Sequence, residues 1–154
     1  MSTDVTEEQV SSKEAKAMEL RLEVVVVPVS DVDRAKAFYT AKLGFNADVD
    51  RQVSDEMRVV QLTPPGSACS VTIGTGMAAM EPGSLKGLQL VVDDIQTARA
   101  ELAERGVDIS EVRVFDGGSQ RAVRDGDDLD FAGFAFFSDP DGNSWAVQQM
   151  PAGR

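Results

Sequence analysis

At 154 residues the chain is long enough for one domain with a real core, and its 26 acidic against 15 basic side chains give a formal charge of -11. That balance opposes nucleic-acid binding, and no apolar run approaches the roughly 20 residues of a membrane helix. Histidine is absent, which removes every Ser-His, Cys-His or His-metal constellation at once.

Residues 1–17 are polar and acidic, without the basic and apolar regions of a secretory signal, and are expected to form a flexible tail. Met1 and Met18 both remain open as the start. Cys69, the only cysteine, can form no internal disulfide, and a cytoplasmic location is expected. Residues 18–154 are read as a single domain.

From Leu22 to Val29 a Val-rich stretch reads as a buried strand. Ser30 or Asp31 then caps a helix over Asp31–Leu43, with Ala35, Phe38 and Tyr39 on its apolar stripe and Gly44 as its stop. Three strands follow, near Phe45–Arg51, Met57–Thr63 and Ala68–Gly74, with a turn at Pro64-Pro65-Gly66. The same order then recurs. Leu88–Val92 reads as a strand, Asp93 or Asp94 caps a helix to Arg105, and Gly106 ends it. Strands near Glu111–Phe115, Phe131–Phe137 and Ser144–Gln149 complete the unit. The loop 116–130 is read either as a lid or as a mobile insertion.

Asp31 overlays Asp94, Val32 overlays Ile95 and Ala35 overlays Ala98 at a constant shift, which is the mark of an internal repeat. The expected fold is therefore α+β, with two βαβββ half-repeats over about 20–76 and 85–150. Met77 to Ser84 would link them.

The run Val27-Pro28-Val29-Ser30-Asp31-Val32-Asp33-Arg34-Ala35, followed by Phe38-Tyr39 and Leu43-Gly44-Phe45, resembles the opening of a vicinal-oxygen-chelate domain. Leu90-Val91-Val92-Asp93-Asp94-Ile95 and Ser138-Asp139-Pro140-Asp141-Gly142-Asn143 resemble its second half. That superfamily holds glyoxalases, extradiol dioxygenases and bleomycin-resistance proteins. The resemblance implies a curved mixed sheet around a cavity, with helices on the convex side. It also implies four metal-ligand positions, which fall here on Val24, Gly87, Ala146 and either Ser70 or Thr72. None of these supplies the imidazole or carboxylate that a divalent ion needs, so neither metal nor cofactor is expected. A shift of strand register would bring a carboxylate such as Glu23 or Asp48 onto that face, which keeps a metal enzyme open.

Strand alternation sorts the remaining side chains. Val25, Val27 and Val29 are expected on the helix side, as are Leu88, Leu90 and Val92. The cavity then receives Val24, Thr72, Gln89, Val91, Ala146 and Gln148 as candidate ligand-binding residues. The two glutamines would bond a polar guest, or each other, or buried water. Cys69 is read as a packing residue, and Trp145 either as a platform on which a ligand stacks or as core, its parity with Val147 favouring the core.

Three functions stay in view. The first is a metal-independent binding protein, a homodimer that sequesters a cationic drug or metabolite. The second is a lyase or isomerase of the same superfamily, acting through carboxylates, Tyr39 or a weakly held divalent ion. The third is a structural or regulatory dimer without a ligand.

Overall fold

The computed structural model describes residues 17–77 and 79–152. The tail expected over residues 1–17 thus lies outside the described residues, save Ala17, as does Ala78 of the linker.

The first half-repeat runs β1 (Val24–Val26), α1 (Val32–Ala37), β2 (Asn46–Gln52), β3 (Arg58–Thr63) and β4 (Ser70–Thr75). The second runs β5 (Leu88–Val92), α2 (Ile95–Glu104), β6 (Arg113–Asp116), β7 (Ser119–Ala122), β8 (Gly133–Ser138) and β9 (Ser144–Gln149). Each half builds its own mixed sheet, in the orders β1-β4-β3-β2 and β5-β9-β8-β6-β7. In both, the opening strand pairs parallel with the closing one, Val24 with Ser70 and Leu88 with Trp145, and the other pairs are antiparallel. The halves are thus equivalent strand for strand, apart from β7.

Both helices begin as their caps dictate. Asp31 accepts from the Arg34 N–H at 3.0 Å, and Asp94 from the Thr97 N–H at 3.1 Å, from extended backbone in each case. One residue more separates Asp31 from Gly44 than separates Asp94 from Gly106. The fold absorbs this extra residue as a π-turn over Phe38–Lys42 at the end of α1. That turn buries the adjacent residues Phe38 and Tyr39 together.

The first strand is shorter than its apolar run, its ladder to β4 spanning only Val24 to Val26. The helix-side set is as alternation requires. Val27, Val60, Leu62, Ile73, Ala135 and Val147 are closed from solvent, with Leu88, Leu90 and Val92 packed against them. The segment 116–130 is a hairpin rather than an irregular loop. Gly117 and Gly118 both take positive φ, 61° and 87°, in a two-residue turn that sets Ser119–Ala122 against β6. Arg121 holds the rest, bonding Asp127 at 2.8 and 2.9 Å and Asp116 at 3.2 Å. The Asp127 carboxyl is kept well below the usual carboxylate range by Arg121 first and then by the Arg124 N–H.

The halves meet over a polar seam within an aromatic cluster. Asp139 accepts from the Tyr39 hydroxyl at 2.7 Å and from Asn143 at 2.8 Å, while its second oxygen takes the N–H groups of Asp141, Gly142 and Asn143. Asn143 also donates to the Pro28 carbonyl, and the Trp145 indole to the Tyr39 oxygen. The linker is bound into the same seam. Gly83 donates to the Pro28 carbonyl at 3.0 Å, and a Cβ there would come within 2.0 Å of the Asp141 carbonyl oxygen.

Candidate functional site

Residues directly paired across strands share a face, so the ladders of the second sheet define its concave surface. One row holds Val91, Gln148, Phe134 and Arg113, the next Gln89, Ala146 and Phe136. Phe115 lies two residues beyond Arg113 on the same side. The sheet thereby gathers three phenylalanines on its open face. Phe115 meets Phe134 edge-on with centroids 4.7 Å apart, and Phe134 lies parallel to Phe136 at 6.2 Å. Phe115 and Val91, on β6 and β5 at either side of this face, remain 41% and 49% exposed.

At one end this face opens into a cleft of about 790 Å³, within the range of ligand sites. Phe136, Ala146 and Gly87 form its apolar side, and Ser110, Ser138, Ser144 and Asp108 its polar side. No side chain of the Lys or Arg type lines it. The Gly87 backbone is at φ 87° with open space where a Cβ would stand.

Of the expected site residues, Gln89, Val91, Ala146 and Gln148 lie together on this face, and Ala146 lines the cleft. The glutamines bond each other: Gln89 Nε2 donates to Gln148 Oε1, and Gln148 Nε2 donates to the Phe131 carbonyl at 2.8 Å. Gln148 is buried and Gln89 exposed. Val24 and Thr72 belong to the first sheet and do not line the cleft. There the concave face closes on itself. Ser70 shares hydrogen bonds with Gln61 at 3.2 Å and Thr63 at 2.6 Å, and Thr63 donates to Asp48. Ser70 and Thr72 are both buried.

Phe131 stands beside the face, where its carbonyl takes the Gln148 amide. Its φ of 65° is the one positive value outside glycine among the described residues, and the residue is 57% exposed. Sequence reasoning missed the aromatic surface. Gly133-Phe134-Ala135-Phe136-Phe137 is nearly all apolar, so alternation there points neither way.

The metal-ligand positions that the fold implies carry poor donors. Val24 and Ala146 end in methyl groups, Gly87 has no side chain, and the Ser70 hydroxyl is bonded within its own sheet. These residues do not fit a divalent ion. Among the described residues no three His, Cys, Asp or Glu side chains converge as a metal-binding group. Nor does Tyr39 suit proton transfer. It is fully buried, and burial, followed by the Asp139 carboxylate, pushes its phenol far above the ordinary value. Trp145, 3% exposed, lies stacked on Phe137 in the core. No helix of the described residues is long and apolar enough to cross a membrane.

The model of the Glyoxalase/Bleomycin resistance protein/Dioxygenase superfamily matches residues 21–147. Among solved structures, the chain is similar to TnmS3, an antibiotic binding protein from Streptomyces sp. CB03234, at 33% identity and a TM-score of 0.67, over 87% of this chain and 98% of that one. A glyoxalase/bleomycin resistance protein from the same organism is 35% identical, with a TM-score of 0.63 over 84% and 100%. A superfamily member from Sphaerobacter thermophilus DSM 20745 is 29% identical, with a TM-score of 0.67 over 86% and 99%. No curated protein matches the chain.

Proposed function

The chain belongs to the glyoxalase/bleomycin resistance protein/dioxygenase superfamily, and from that premise we propose that it is a metal-independent binding protein that sequesters a small molecule on the concave face of its second sheet. The observation that carries this reading is the partly exposed Phe115–Phe134–Phe136 surface leading into a cleft, with no three metal-binding side chains converging among the described residues. A polar guest side is available at Asp108 and the three serines, and the charge of -11 favours a cationic drug or metabolite. The likeness to an antibiotic binding protein supports a ligand of that kind.

The proposal includes a homodimer acting in the cytoplasm, built from the domain 18–154. Leu22, Val49 and Val53 are large apolar groups left open on the first half-repeat, and a second copy would cover part of that surface.

The test is a thermal melt against a panel of antibiotics, bleomycin among them, with and without EDTA. A bound compound at about a hundred times its Kd is expected to raise the melting temperature by about 5–10 °C. EDTA is expected to leave that rise unchanged and Phe136→Ser to remove it. A rise that EDTA abolishes would overturn metal independence. Chemical conversion of a compound would favour the lyase or isomerase reading instead.

A further inference from the structure

We propose that Phe131 is a ligand-contacting, specificity-determining residue at the rim of the concave face, at the Gly133 end of β8 opposite the cleft, taking a flat apolar group of the guest, and that Gln89 and Gln148 are positioning residues that hold it. This rests on the concave face being the ligand site.

The Phe131 backbone sits at φ 65°, a conformation that costs a phenylalanine free energy. A β-carbon in the left-handed region crowds its own peptide, so a phenylalanine there is strained unless its surroundings enforce it. Here they do. The Phe131 N–H donates to the Gln149 carbonyl at 2.8 Å, and its carbonyl accepts from Gln148 Nε2 at 2.8 Å. One residue earlier, Gln149 Nε2 holds Asp130 at 2.9 Å, while Gln149 Oε1 accepts from the Ile95 N–H. Consecutive glutamines of β9, pointing to opposite faces, therefore grip this one bend from both sides of the sheet. The Gln89 amide completes the arrangement by donating to Gln148 Oε1, which orients Gln148 so that its Nε2 meets the Phe131 carbonyl.

Such a grip ordinarily serves to bury the side chain it positions. Phe131 is 57% exposed, and its ring pairs with none of the three phenylalanines of the face. Strain is thus maintained for a ring that the chain itself does not bury. A glycine would take φ 65° without strain, yet a phenylalanine stands there. The contact that uses the ring is one made when a guest arrives. The glutamines then act on the ligand through Phe131, which accounts for amides on an apolar face that bond each other.

Nile red, a flat neutral fluorophore, is the probe, titrated into the full-length protein and its variants, with melting temperature and sedimentation measured alongside. Phe131→Gly is expected to keep or raise the melting temperature, by about 2–4 °C, as strain is released. The same variant is expected to weaken Nile red binding roughly fivefold to tenfold, as the ring's apolar area is lost. Gln148→Leu makes the face more apolar yet is expected to weaken binding about threefold, with no further loss in the Phe131→Gly background. Unchanged affinity in Phe131→Gly, tighter binding in Gln148→Leu, or additive losses in the double variant would each overturn the inference. So would a loss of affinity in Phe131→Gly accompanied by dissociation of a dimer, which would make Phe131 an inter-subunit contact. If Phe136→Ser leaves Nile red binding intact, the concave face is not the ligand site and both readings fall. If Phe136→Ser removes binding while Phe131→Gly does not, only the present inference falls.

Discussion

In the first half-repeat the concave face is closed by its own polar groups, Ser70, Thr63, Gln61 and Asp48 bonding one another across three strands. In the second, Phe136 stands where the first has Gln61, each paired with the inward residue of the closing strand, Ala146 and Thr72, and Phe134 and Phe115 extend it. The charge distribution differs as well. On the convex side of the first half, Asp50 bonds Lys36 at 2.8 Å and Arg58 at 2.9 and 3.0 Å, and Arg58 reaches Asp33. Arg58 first, and then Lys36, holds the Asp50 carboxyl well below its ordinary range. One frame thus carries a self-satisfied half and an unsatisfied half. Backbone pairing and helix caps set the frame, while the residues on the free face decide whether it binds.

The comparison is broken most severely at the turns before the closing strands. Asp139→Ala in the second half removes the acceptor of five hydrogen bonds at a buried seam, and is expected to cost more than about 3 kcal/mol. The corresponding turn in the first half, at Pro64-Pro65-Gly66, is exposed. Gly66→Ala meets no atom within 4 Å and strains only a backbone at φ 86°, for about 1 kcal/mol. Urea unfolding of both variants checks the ratio, and equal losses would show that the seam does not favour one half.

Helix caps sharpen the comparison from the other side, because there the halves should behave alike. Asp31→Ala and Asp94→Ala are each expected to lose about 1 kcal/mol, measured by the same denaturation. A clear inequality would mean that the two caps are not equivalent.

The smallest effect concerns the hairpin that only the second half possesses. Because the folded Asp127 value is depressed, its contribution is present above the ordinary carboxylate range and is lost as pH falls through the folded value. Amide exchange in β7, taken relative to the intrinsic rate at each pH, should therefore be steady between about pH 7 and 5 and quicken only under stronger acid. Arg121→Ala should quicken it at every pH while leaving global stability nearly unchanged, since exposed ion pairs contribute little.

Much of this frame was legible in the chain. Asp31 and Asp94 followed by glycine stops marked both helices, and the alternation around Val27 and Leu90 assigned their faces correctly. Three features were not. Gly117-Gly118 carried a hairpin signal, but the polar residues after it lack the apolar alternation by which strands are recognised. The phenylalanines of β8 sit in an apolar run without phase. Gln148 was correctly turned inward, yet its partner is the carbonyl of a residue 17 positions earlier, held in a conformation that no local preference of phenylalanine would indicate.

The seating of Gly83 has a consequence for how the molecule comes apart. A connector between duplicated modules is usually a tether, whose slack lets one module melt while the other persists. This one is a wedge, threaded so closely between Pro28 of one half and Asp141 of the other that not even a methyl group fits. Pulling the halves apart must free the connector, the Tyr39–Asp139 bond and the Asn143–Pro28 bond in one event. Two recognisable repeats are thus expected to melt as one body rather than as two beads on a string, in a single calorimetric transition.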